Sequence, residues 1–178
     1  MNKKTANPRH KIDLFYLKKV RFFQGLSDQQ IRKIIPLMHV KEFTAEDFIM
    51  REGEIGSDIF ILLEGEVEIS KALVLPQWME SARQREKALI RLSEQSHPIF
   101  GEMSMFEKDA VREASIRAIK PSRLASISKI KLIRLLEEEP QMGMTIYRNI
   151  ASELVNRLRK ANKDILKLTT AFSLALEG

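Results

Sequence analysis

The chain of 178 residues contains no cysteine, only three histidines and one tryptophan, and no apolar run near the ~20 residues that cross a bilayer. Without cysteine there are no disulfides, thiolate metal sites or thiol nucleophiles. His10, His39 and His97 are too scattered in sequence to make a metal cluster. The opening MNKKTANPRHKID lacks the apolar core of a signal peptide, so a cytoplasmic location is expected. Phosphate-binding loops, metal-ligand spacings and nucleophile elbows are missing too. Glu137, Glu138 and Glu139 form a carboxylate run, but on a predicted surface helix, with no histidine or nucleophile tied to it by spacing. The chain is therefore expected not to be an enzyme.

What is present begins with charge. The formal net charge is +6, and basic residues crowd the first part: Lys3, Lys4, Arg9, Lys11, Lys18, Lys19, Arg21, Arg32, Lys33 and Lys41. Such an excess attracts nucleic acid, anionic lipid or an acidic protein face, or is a solvated tail and helix face. With no aromatic ladder or recognition helix beside it, the solvated reading is preferred.

The length suits one domain with one sizeable core, residues 1–178. Residues 1–10 read as a tail and 11–39 as N-terminal helices; Ser27 and Gln30 form a capping-box pattern, and Ile31, Ile34, Ile35 and Met38 face inward before Pro36 disturbs the helix end. Residues 40–128 read as short strands with glycine corners at Gly53, Gly56 and Gly65, the pattern of a barrel or roll. DIFILLEGE and EVEISK fit a hairpin bent at Glu64 and Gly65. Residues 72–87, with Trp78, are long for a strand connection and form a candidate lid or partner contact, or a loop anchored by its tryptophan. Residues 129–178 read as two helices, one ending before Pro140. The other carries a seam at Tyr147, Ala151, Leu154, Leu158, Ala161, Ile165, Leu168, Phe172 and Ala175, in steps of four and three. Its second half has no core of its own to cover it, so a parallel homodimer is expected.

The stretch FGEMSMFEKDAVREASIRA carries the chemistry. It sets a carboxylate, Glu102, and a guanidinium, Arg112, ten positions apart across a short turn. A ligand with sugar hydroxyls and a phosphate needs an acceptor for the first and a fixed cation for the second. Gly101 permits close backbone approach, and GEMSMF is long enough for one helical turn.

These residues, with the glycine-cornered strands of 47–70, resemble the cyclic-nucleotide-binding domain family from about Phe22 to Leu168. Within it they are most similar to the sensor domain of the catabolite activator proteins. The resemblance implies a mainly β fold with flanking helices, a double-stranded β-helix (jelly roll) with a long C-terminal dimerisation helix. It implies cyclic AMP or cyclic GMP as ligand and no obligatory cofactor. Glu102 would accept from the ribose hydroxyl and Arg112 would pair with the cyclic phosphate. Gly101, Met103 and Ser104 would line the phosphate turn, Ala114 and Ser115 would extend that wall, and Asn162 would approach the base.

Three features depart from the family pattern. Glu113 stands where a small residue usually follows the arginine. A second carboxylate at ~4 Å from the phosphate, at an effective dielectric of ~20, would cost on the order of 4 kcal/mol unless strand alternation turns it away. His97 and Pro98 replace a glycine-containing turn, and Ala161 supplies no hydroxyl. Two readings stay open. One is a regulatory module that binds a cyclic nucleotide and signals through its last helix and dimer interface. The other is a degenerate, ligand-free dimeric scaffold for an unknown protein partner, with Glu102 and Arg112 as a structural ion pair. The activator proteins continue into a winged helix-turn-helix, whereas this sequence stops at Gly178, so sequence-specific DNA binding is not expected.

Overall fold

The computed structural model describes residues 12–72 and 86–177. The tail and the Trp78 stretch, residues 1–11 and 73–85, lie outside the described residues, and with them the candidate lid and, of the basic N-terminal residues, Lys3, Lys4, Arg9 and Lys11. Lys18, Arg21, Lys33 and Lys41 each form an ion pair.

A helical layer opens the described chain. Asp13 accepts from the Phe15 N–H and starts α1 (Leu14–Lys19), which buries Leu14 and Leu17. The predicted capping box forms between Ser27 and Gln30 at the head of α2 (Asp28–Ile34), and Pro36 sits in the 3-10 turn that follows it. Ile31 and Ile34 are fully buried, as the spacing requires.

The strands are β1 (Met38–Phe43), β2 (Phe48–Met50), β3 (Asp58–Glu64), β4 (Glu66–Ala72), β5 (Glu86–Ser93), β6 (Ile99–Phe100), β7 (Ser115–Ala118) and β8 (Ser122–Ser128). They form two four-stranded antiparallel sheets, in the orders β1-β8-β3-β6 and β2-β7-β4-β5. This is the expected roll, but the expected hairpin at Glu64 and Gly65 is not part of it. β3 and β4 lie in different sheets, and the chain crosses between them at Gly65, where φ is +106°. Sequence adjacency suggests pairing; the left-handed glycine instead redirects the strand.

β3 shows why its IFIL run is apolar without alternation. Ile59 and Ile61 join the core against the helices with Leu17, Phe23, Ile31 and Ile34, whereas Phe60 and Leu62 join the roll interior with Ile49, Val67, Ile116 and Leu124. Both faces of the strand are covered, so both need apolar residues.

Tyr16 ties the helical layer to the roll, its hydroxyl donating to the Leu62 carbonyl and, at 3.0 Å, to that of Glu94. Burial, and then Glu94, push the phenol up from 10.0 to about 12. Between those values the folded protein keeps a proton that the unfolded chain has lost, so raising the pH favours unfolding. Stability is expected to hold to about pH 10 and then fall by about 2–3 kcal/mol towards pH 12 through this group. Tyr16→Phe should remove that fall and cost about 1 kcal/mol at neutral pH, which denaturant titrations at pH 7 and 11 would measure.

After β8 come α3 (Lys129–Glu138) and α4 (Pro140–Glu177), the latter 38 residues and about 57 Å long. α4 packs through Met142, Ile146, Ile150 and Leu154. The predicted seam residues Tyr147 and Ala151 instead stay exposed, one position round the helix from that packed face. Leu158, Ile165, Leu168 and Phe172 are each more than 60% exposed, leaving the distal seam uncovered in the single chain. No helix among the described residues is long and apolar enough to cross a membrane.

Candidate functional site

A cavity of about 680 Å³ lies between the inner face of the β4–β5 sheet, the 96–114 segment and α4, a size typical of small-molecule sites. Met50, Ile69, Ile90, Leu92 and Ile116 supply its apolar wall.

Its buried cation is Arg112, 7% exposed. The backbone holds it in place: the Arg112 N–H donates to the Glu54 carbonyl and its carbonyl accepts from Gly53 N–H, both at 2.8 Å. Arg112 Nη2 donates to the Asp58 carbonyl at 2.6 Å. Two glycines make room for the guanidinium. A Cβ on Gly56 would come within 2.6 Å of Nε, and one on Gly101 within 2.4 Å of Nη1. Burial pushes the guanidinium below its ordinary pKa, while Asp58, Glu102 and Glu54 oppose the shift. An anion entering the cavity would act in the same direction as those carboxylates.

Gly101, at φ +76°, turns the chain into the predicted helical turn, a 3-10 helix over Glu102–Phe106. Ser104 Oγ donates back to the Gly101 carbonyl at 2.7 Å and fixes the turn. Gly101, Glu102, Met103, Ser104, Arg112, Glu113 and Ala114 all border the cavity. Glu102 is 5% exposed. Its partner is not Arg112: Glu102 Oε1 accepts from Arg157 Nη1 of α4 at 2.7 Å. The structural ion pair between Glu102 and Arg112 is therefore not formed.

Glu113 is exposed beside the buried Arg112, in the bend before β7, where water screens its carboxylate. His97 adopts φ +48°, the left-handed backbone that a glycine turn would supply, and its ring lies 4.7 Å from that of Tyr16. Asn162 requires a correction. It is exposed and does not line the cavity. α4 faces the cavity with Asn149, Ile150, Glu153, Asn156, Arg157 and Lys160. Two residues beyond Lys160, at about 100° per residue, Asn162 lies on the far side of the helix. Sequence reasoning missed Arg157, which stands within a basic stretch like any solvated helix face, and marked Gly56 only as a strand corner.

The family model described as cyclic nucleotide-binding domain matches residues 40–139, which span nearly all of both sheets and the Gly101–Ala114 side of the cavity and stop before α4. The chain belongs to that family. Among curated members it is similar to cGMP-dependent protein kinase 2 of Homo sapiens, 29% identical over 116 residues, covering 65% of this chain and 14% of the kinase. It is also similar to the cAMP-activated global transcriptional regulator CRP of Pasteurella multocida (strain Pm70), 25% identical over 130 residues, covering 73% of this chain and 56% of the regulator. The chain thus spans less than two thirds of the length of either relative. Among solved structures, a cyclic nucleotide-binding domain from Methylobacillus flagellatus superposes with a TM-score of 0.69 at 25% identity, over 86% of this chain and 80% of that one. The Thermus thermophilus catabolite activator protein shares the fold, with a TM-score of 0.68 at 21% identity, over 84% and 63%. So does the regulatory domain of Toxoplasma gondii PKA solved with cAMP, with a TM-score of 0.61 at 22% identity, over 79% and 48%.

Proposed function

We propose that this member of the family is a non-enzymatic regulatory module that binds cyclic AMP or cyclic GMP in the roll cavity and signals through α4 and a dimer interface. The observation that carries the binding reading is Arg112: a buried guanidinium seated between two glycines, beside a cavity whose other buried charge is the Glu102 carboxylate. The cyclic phosphate goes to Arg112 and to the turn of Gly101, Met103 and Ser104. A ribose hydroxyl goes to Glu102, with Ala114 along the wall. The base takes the apolar wall of Ile69, Ile90 and Leu92.

The uncovered seam from Leu158 to Phe172 supports a parallel homodimer, in which each helix buries the other's apolar stripe. Asn162, directly after the seam residue Ala161, then flanks that interface. Ile165→Asp with Leu168→Asp should convert a dimer to monomer in sedimentation velocity; a monomeric wild type would refute the dimer.

One contact favours the scaffold reading instead: Arg157 already holds the Glu102 carboxylate. Titration calorimetry with cyclic AMP and cyclic GMP separates the two. Saturable heat with at least one nucleotide, accompanied by a rise in melting temperature, supports the sensor. No heat with either leaves the roll as a dimeric scaffold for a protein partner.

A further inference from the structure

A line of alternating charges joins the N-terminal helical layer, α4 and the cavity. Arg21 Nη1 lies 2.8 Å from Glu153 Oε2, Glu153 Oε1 lies 3.6 Å from Arg157 Nε, and Arg157 Nη1 lies 2.7 Å from Glu102 Oε1. The two ends differ in environment. The Arg21 side chain is 68% exposed, and such a pair contributes little. The Glu102 side chain is 6% exposed, so its carboxylate has lost most of its water and depends on whichever donor faces it.

Two groups compete for that place. A guanidinium and a pair of sugar hydroxyls both donate hydrogen bonds to a carboxylate. Arg157 itself lines the cavity and reaches from the helix to the turn, across the space a sugar must enter to meet Glu102.

The position of this bond along α4 matters as much. The deepest side chains of the helix end at Ile150, with Leu154 partly buried after it, and every residue from 155 to 176 is exposed. Among the described hydrogen bonds and ion pairs, Arg157 to Glu102 is the last that reaches from α4 to the roll. The same turn touches the helix at a second point, where the Phe106 ring lies 6.1 Å from that of Tyr147.

Resting on the nucleotide-binding reading above, we propose that Arg157 is an internal competitor for the sugar-binding carboxylate. A ribose gains Glu102 as Arg157 leaves it, and that departure unfastens α4 beyond Leu154 from the roll. By linkage, whatever holds α4 down weakens the ligand by the same factor with which the ligand loosens α4. The helix so released carries the exposed seam, and its freedom to move relative to the roll is the output.

The test uses the full chain and its Arg157→Ala variant, titrated calorimetrically with cyclic AMP and cyclic GMP, with amide exchange followed along α4. Arg157 is half exposed, so its removal leaves the core intact. The variant is expected to bind about tenfold more tightly, the equivalent of one charge-assisted hydrogen bond no longer displaced. Without ligand, its amides from about residue 155 to 165 should exchange as fast as those of nucleotide-saturated wild type. Wild-type binding with equal or weaker binding by the variant overturns the competitor and leaves the nucleotide reading standing. Unchanged exchange in the variant overturns it as well. Silence from both proteins with both nucleotides overturns the nucleotide reading and, with it, this one.

Discussion

Arg112→Ala is expected to lower cyclic-nucleotide affinity about 100-fold, or about 2.7 kcal/mol, within the about 2–5 kcal/mol that truncating one partner of a buried charge pair costs. The effect is large because the other cations lining the cavity, Arg21, Arg157 and Lys160, are exposed. The guanidinium is 7% exposed, and Gly56 and Gly101 flank it so closely that only a residue without a Cβ fits at either position. A phosphate left in that place without its cation would lie near Asp58, Glu54 and Glu102, the three carboxylates whose field acts on Arg112. The measurement is calorimetry, paired with the thermal shift. Wild type at 100 times its Kd should gain about 2.7 kcal/mol from ligand, and the variant almost nothing. Arg112→Lys should recover only part of the binding, since an ammonium keeps the charge but loses the planar fork. Undiminished affinity in Arg112→Ala would show that the phosphate is held elsewhere.

The second large effect concerns folding. Gly65→Ala is expected to destabilise the chain by about 4 kcal/mol, combining a strained positive φ with steric overlap. Its φ is +106°, and a Cβ there would meet Ser122 Oγ at 2.2 Å and the Ser122 Cα at 2.7 Å. The neighbour cannot simply swing aside, because Ser122 Oγ donates to the Lys120 carbonyl at 2.8 Å and accepts from the Glu66 N–H at 3.2 Å. Gly53 provides the control. It also has positive φ, +84°, but nothing lies within 4 Å of the added carbon, so Gly53→Ala should cost only the conformational strain, about 1 kcal/mol. Denaturant unfolding of the two variants compares them directly, and equal losses would refute the crowding at Gly65.

The roll was legible because its signals are local and redundant. Ser27 and Gln30 sit at the spacing of a capping box, glycines mark the strand corners, and Pro140 marks the break between α3 and α4. The turn from Gly101 to Ser104 and the cation at Arg112 were legible as neighbours of one cavity for the same reason, being held in one short segment. What stayed hidden depends on distant contacts. Nothing near Gly65 tells a hairpin from a crossing between sheets, since both ask for a left-handed glycine; the distinction lies in the partners β6, β7 and β8. Arg157 is invisible as a site residue because its partner lies 55 positions away. Asn162 was misplaced by two residues of helical phase, enough to turn a side chain to the opposite side.

Strand β3 begins with Asp58, whose carbonyl holds the Arg112 side chain, and continues at once into Ile59 and Ile61, on which the helices rest. No loop intervenes to absorb movement. A ligand drawn to the guanidinium at one end of this girder would pull on the same strand that carries the helical storey above it.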